Sequence, residues 1–234
     1  MARITRKELK TDTFALEIER TVTLFEEHRQ EIIRYGGAGL AVVAIVLAIV
    51  FYTGRQHASR QQALTQAIAV QEAPIGAPAA PGQPSFPTQE AKDQAALKAF
   101  TDLKGKYGSS AEGEIAEYYL GAIKADQGKL PEAQKSFEEV AQHGDAKYAS
   151  LAKYSLAQMY FSEGKDAQGE ALLRDLIAHP TIFVSKEQAT ITLAQSLAHT
   201  KPAEARKLLD PLRNMPGSVG QTALQVYSEI AAQQ

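Results

Sequence analysis

The chain has 234 residues, with 25 Lys and Arg against 27 Asp and Glu, and it contains no cysteine. The lack of cysteine excludes disulfides, thiolate metal sites and cysteine nucleophiles. A net charge of −2 argues against a nucleic-acid-binding protein, which usually carries a basic domain or stripe. Apolar residues make up 44% of the chain, which is enough to build a folded core.

The first 35 residues form a basic tail. From Thr13 onward its apolar residues follow helical spacing, which predicts an amphipathic helix within residues 1–35. This helix would lie in a membrane interface or dock on a partner, and the pattern is compatible with both. The apolar stripe consists of Phe14, Ile18, Val22, Phe25 and Ile32.

Residues 36–52 are an uncharged, strongly apolar run of seventeen residues. As a helix the run would span roughly 26 Å, close to the ~30 Å hydrocarbon core of a bilayer. A long tail precedes it and no small-residue cleavage site follows it, unlike a signal peptide. The sequence therefore predicts a transmembrane helix over residues 36–53.

Basic residues are distributed unevenly around this helix. The tail carries seven Lys and Arg, whereas the twenty residues after the run carry only Arg55 and Arg60. Because positive residues favour the cytoplasmic side, the bias predicts an inside N-terminus and an outside C-terminal domain.

Small residues recur on one face of the predicted membrane helix, at Gly37, Ala41, Ala44 and Ala48. Such spacing lets a second helix approach closely. The alternative is that alanine is simply common in membrane helices. The face is therefore a hypothetical packing surface for a membrane partner.

Residues 54–72 continue as a polar helix, and residues 73–87 then hold five prolines and two glycines. Proline lacks the amide donor that a helix needs, so this stretch is predicted to be an exposed loop or linker. Thr88 is the predicted N-cap of the next helix.

A helix–turn–helix pattern then recurs three times, over about residues 114–149, 150–185 and 186–217. Small residues recur where the two helices of each hairpin would cross, because packed helices lie within about 8–10 Å of each other. This is the tetratricopeptide pattern. Residues 54–72 with 91–107 would form a further unit and residues 218–232 a cap helix, which predicts an all-α solenoid for residues 54–234. The small residues are Gly121, Ala157 and Ala194 in the first helices, and Ala133, Gly169 and Ala205 in the second.

The first helices of such hairpins line a concave surface, and aromatic anchors with glutamine amides suit the capture of a peptide or helix. The alternative is that Tyr118 and Tyr154 only pack between neighbouring units. The predicted partner-binding residues are Ile115, Tyr118, Leu151, Tyr154, Gln158, Phe161, Ile191 and Gln195.

Catalysis has little support in the sequence. It contains no HExxH motif, phosphate-binding loop or nucleophile elbow, and its five histidines lack ligand spacing. We therefore expect a non-enzymatic protein without metal or cofactor, and a shallow apolar groove instead of a polar pocket.

The order of elements, together with residues 23–28 and 35–39, resembles the bacterial ancillary SecYEG translocon subunit family over roughly residues 18–234. The resemblance implies an inner-membrane protein with periplasmic repeats. It also implies the SecYEG translocon and a membrane-anchored periplasmic chaperone as partners, and exported proteins as clients. The chain departs from the family in its longer basic tail and its proline-rich insertion. An envelope-assembly or cell-division adaptor with the same fold is the alternative function.

Overall fold

The computed structural model describes residues 29–76 and 82–232. The chain divides into two units, residues 1–59 and 60–234. Most of the predicted amphipathic helix lies outside the described residues, as do residues 77–81 of the proline-rich loop. Across the described ranges the regular elements are nine α-helices and no strand, which confirms the predicted all-α class.

The first helix, α1, comprises Arg29–Gln71 and contains the predicted membrane segment. Its stretch Val42–Gln71 is long and apolar enough to cross a membrane, and the most apolar part is not buried at all. Val43, Ile45 and Leu47 are each more than half exposed. Apolar side chains exposed in such a row need an apolar environment, which a bilayer supplies.

The remaining helices follow one another in antiparallel hairpins, and each packs against the next along the chain. The last helix, α9, packs against both α7 and α8. The helices are α2 (Gln89–Tyr107), α3 (Ala111–Asp126), α4 (Leu130–His143), α5 (Ala146–Ser162), α6 (Asp166–Ala178), α7 (Lys186–Leu197), α8 (Pro202–Leu209) and α9 (Ser218–Ala232).

The α3–α4, α5–α6 and α7–α8 hairpins begin in the same way, and the first two also share the same kind of turn. Each first helix has a side-chain N-cap, supplied by Ser110, Asp145 and Ser185 respectively. α3 and α5 start three and four residues before the predicted repeats, because the cap decides where the helix begins. The turns into α4 and α6 use Gly128 and Gly164 at φ of +74° and +73°, a region that favours glycine.

The third turn differs because it has no glycine. Thr200 and Lys201 make this turn without a left-handed residue, and the Lys201 amide donates to the carbonyl of Leu197 at 2.8 Å. The hydrogen bonding of α7 therefore stays helical up to Lys201. α8 then begins at Pro202, whose fixed φ suits a first helical position.

Small residues lie at the crossings within the hairpins. A Cβ atom on Gly121 would stand 2.9 Å from the Phe137 ring, and one on Gly169 would stand 2.7 Å from the Phe161 ring. The matching alanines, Ala157, Ala194, Ala133 and Ala205, are fully buried. The hairpins are thus closed by contact between a small residue and the opposite helix.

The core forms three apolar clusters in chain order. The first joins residues 63–70 of α1 to α2 and α3 around Phe100. The second lies around Phe137 between α4 and α5. The third extends from α5 to α9 around Leu193. Stacked hairpins that contact only their neighbours produce this distribution.

The loop between α1 and α2 is closed by backbone hydrogen bonds. The Gly76 amide donates to the Phe86 carbonyl at 2.9 Å, and the Phe86 amide donates to the Pro74 carbonyl at 3.1 Å. Thr88 then accepts a hydrogen bond from the Ala91 amide, so it is the N-cap of α2, as predicted.

Candidate protein-binding groove

The predicted binding residues occupy two different environments. Tyr118 packs between hairpins: its ring centroid lies 5.6 Å from that of Phe137 and 5.6 Å from that of Tyr148. Burial, with Tyr119 and Tyr118 beside it, raises the pKa of Tyr148 to about 12. Tyr118 therefore serves inter-hairpin packing, which is the alternative that the sequence left open.

Four other predicted residues lie outside the groove, and two of them contribute to packing. Phe161 covers Gly169 inside its own hairpin, and Leu151 packs on the third cluster. Ile115 is half-buried on α3, and Gln158 is exposed on α5. None of these four lines the groove described next.

Tyr154, Ile191 and Gln195 lie together in a groove of about 300 Å³ between α5, α7 and α9. The Tyr154 and Thr192 hydroxyls are hydrogen-bonded at 2.8 Å, which fixes the tyrosine ring across the α5–α7 boundary. We call this site the α5–α7–α9 groove. Its lining consists of Tyr154, Ser185, Gln188, Ile191, Thr192, Gln195, Ser218, Val219 and Thr222.

The lining of the α5–α7–α9 groove is uncharged. Ile191 and Val219 supply apolar contact, whereas Gln188 and Gln195 expose amides. Each amide both donates and accepts hydrogen bonds, so the pair can match the alternating groups of a peptide backbone. The groove holds no carboxylate, imidazole or amine for acid–base chemistry, and its chemistry suits binding.

Besides Ser185 and Thr192, the sequence analysis missed three lining residues that belong to α9. Ser218, Val219 and Thr222 follow one-sided helical spacing on the first turn of that helix. The sequence predicts for α9 only the role of a cap helix at the end of the solenoid. The small polar residues on its first turn were the signal in the sequence that α9 could also line a groove.

The charged clusters of the domain join helices together. The Nζ atom of Lys104 on α2 lies 2.5 Å from Glu139 on α4 and 3.5 Å from Glu117 on α3. Burial opposes the charge of Lys104, but the hydrogen bond to Glu139 and the charge of Glu117 outweigh it and raise the pKa. Among the described residues, no group of three or more His, Asp or Glu could hold a metal ion.

A comparison with protein families agrees with this architecture. The tetratricopeptide repeat-like domain family matches residues 33–211, about three quarters of the chain. The chain belongs to the tetratricopeptide repeat-like domain family. No curated protein and no solved structure matches it significantly.

A tetratricopeptide repeat-like domain indicates a scaffold for protein–protein interaction. The fold is typically non-enzymatic, and the uncharged α5–α7–α9 groove agrees with that role. Protein partners in general are therefore the class of ligand that the family indicates.

Proposed function

We propose that the chain is a membrane-anchored, non-enzymatic accessory subunit of the Sec protein-translocation machinery. Its repeats would bind partner proteins in the periplasm, with the N-terminus in the cytoplasm. The proposed partners are the SecYEG translocon, a membrane-anchored periplasmic chaperone and exported client proteins.

The observation that carries this proposal is the α5–α7–α9 groove. Exposed amides and apolar side chains lie side by side there, on a surface where neighbouring hairpins already present an ordered tyrosine. Segments of a partner in extended or helical form are recognised by this mixture of contacts. An unfolded exported chain presents many such segments, so broad client binding needs no charged clamp.

The apolar helix α1 supports the proposed location at a membrane. Ala44 and Ala48 are exposed on α1, and Ala41 and Gly37 lie about one and two turns before Ala44 on the same helix. We propose that these four residues form a packing face for a membrane helix of the translocon. The basic tail before α1 favours a cytoplasmic N-terminus.

The second candidate is an adaptor for envelope assembly or cell division. It would use the same anchor and groove but bind the peptidoglycan or outer-membrane machinery. Partner identity, rather than groove chemistry, distinguishes the two functions.

The test places a photo-crosslinking amino acid at Gln195 in the groove and, separately, at Ala44 in the membrane helix. Lys135, exposed on α4, is the matched control for Gln195. Val46 is the control for Ala44, because two residues rotate a helix position by about 200° to the opposite face. Adducts from native membranes are identified by mass spectrometry.

We expect Sec components at Ala44, and exported chains or a periplasmic chaperone at Gln195, with neither at the control positions. Division or outer-membrane assembly proteins at both sites, without a Sec component, would exclude the translocon function and favour the adaptor. The same adducts in equal amounts at Val46 and Ala44 would contradict the proposed packing face.

A further inference from the structure

A second groove, of about 810 Å³, lies between the end of α6, the start of α7, and α8 with the turn that follows it. Its floor is apolar and includes Ile177, Leu208, Leu212 and Met215. We call it the α6–α8 groove. It shares no lining residue with the α5–α7–α9 groove.

The groove exists because α8 is short. α8 has 8 residues, whereas the equivalent helices α4 and α6 have 14 and 13. Asp210 caps α8 in helical geometry, at φ −49° and ψ −48°, but Pro211 has no amide hydrogen to continue the helical bonding, so the chain continues in turns. Those turns leave the Met215 side chain 38% exposed at the edge of the apolar floor.

Among the described residues, the unpaired charges on the rim of the α6–α8 groove are two lysines and one glutamate, which leaves an excess of positive charge. Lys186 and Lys207 both line it and are exposed, and no ion pair within residues 29–76 and 82–232 involves either one. Of the two rim carboxylates, Glu204 is paired with Arg174. Glu187 lies in the first turn of α7, where the positive end of the helix dipole stabilises it.

The apolar side chains of the floor offer no hydrogen bonds to an extended peptide backbone. The Thr190 hydroxyl, at its edge, already donates to the Lys186 carbonyl at 2.7 Å. A helix satisfies its own backbone and presents apolar side chains at positions i, i+3 and i+4, so it fits such a floor better than an extended strand.

We propose that the α6–α8 groove docks an acidic amphipathic helix of a partner protein. The apolar face of this helix lies on the floor, and its flanking carboxylates pair with Lys186 and Lys207. The proposal goes beyond the function assigned to the α5–α7–α9 groove, and either site can fail without the other.

The probe is a fluorescent synthetic peptide of about five helical turns, with leucines on one face and glutamates beside them. A twin peptide has lysine at every glutamate position. Binding is measured by fluorescence anisotropy on the full chain in zwitterionic lipid nanodiscs, with empty nanodiscs as the blank. The variant is K186E/K207E, and the control is K98E/K147E, which changes net charge equally at two exposed lysines outside the groove.

We expect the wild-type chain to prefer the acidic peptide, and K186E/K207E to bind it at least about fivefold more weakly and to prefer the basic twin. K98E/K147E keeps the wild-type preference. M215S, at an exposed position, weakens both peptides, whereas Q195A changes neither. The proposal is overturned if wild type binds neither peptide or both equally, or if K98E/K147E and K186E/K207E behave alike.

Discussion

Gly121 shows how one residue determines the distance between two helices. A Cβ atom there would lie 2.9 Å from the Phe137 ring and 3.1 Å from Ser136, and both side chains are buried. Gly105, on α2, has nothing within 4 Å of the same hypothetical atom. The two glycines share helical backbone and differ in their surroundings, so they form a matched pair.

Gly121→Leu is expected to lower the free energy of unfolding by about 2–3 kcal/mol, because the core cannot accept the added volume. Gly105→Leu should raise it by about 0.5–1 kcal/mol, since leucine is a better helix former than glycine. Thermal unfolding followed by circular dichroism measures both. Similar effects of the two substitutions would show that space at Gly121 does not limit the hairpin.

Glu170 links α6 to α8 and makes stability depend on pH. Hydrogen bonds from Lys201 and Arg174, both at 2.8 Å, lower the pKa of Glu170. Because the folded pKa lies below the unfolded value of about 4.3, the ionised carboxylate stabilises the fold above about pH 5. This contribution is lost as the pH falls through the lowered pKa.

Glu170→Gln should therefore lower the melting temperature at pH 7 by a few degrees, and the difference from wild type should shrink as the pH falls below about 4. Melting curves from neutral to acidic pH measure this. Asp102→Asn is the control, since Asp102 is exposed and has no ion pair among the described residues. A difference that is the same at every pH would contradict the prediction.

At the scale of elements, the first and second helices of the three complete hairpins start differently. α3, α5 and α7 begin at residues whose side-chain oxygens accept backbone hydrogen bonds. α4, α6 and α8 begin at lysines that make no such bond, directly after a short turn. Within these three hairpins, each side-chain cap thus marks the start of a new hairpin.

Asp145 is the cap of α5, and it accepts from the amides of Lys147 and Tyr148 at 2.9 and 3.0 Å. Asp145→Ala is expected to cost about 1 kcal/mol of stability, because two amides lose their acceptor. Asp145→Ser should recover most of this loss. Chemical denaturation measures both variants, and equal stability of the alanine and serine variants would argue against a capping role.

At the scale of the whole molecule, the core is a series of clusters rather than one centre. The third cluster depends on α9, which buries Ala223, Val226 and Ile230 against α7 and α8. In such a series a local loss of packing should weaken neighbouring hairpins before distant ones.

Ile230→Ala should cost about 2–4 kcal/mol, because the residue is 1% exposed and leaves a cavity. Leu224→Ala, on the 52% exposed outer face of the same helix, should change stability by less than about 0.5 kcal/mol. Hydrogen exchange should quicken in α7 and α8 after Ile230→Ala and stay unchanged in α2 and α3. Faster exchange in α2 and α3 would mean that the hairpins unfold as one unit.

The candidate groove was only partly predictable. Tyr154 and Ile191 have equivalent positions in successive hairpins, Gln195 lies one turn after Ile191, and the three residues lie together. Tyr118 and Phe161 have the same kind of position, yet their rings are used in packing. Helical periodicity places all five at a boundary between core and solvent, but the neighbouring helix determines whether such a ring is covered.

The sequence by itself determined the class of every helix, the apolar stretch of α1, the small residues of the hairpins and the tetratricopeptide pattern. These depend on spacing along one chain, because a helix turns the same face inward at every 3.6 residues. Only the tertiary structure decided which surfaces remain open. Both grooves arise where three helices meet, and the early end of α8 and the first turn of α9 shape them through packing between distant residues.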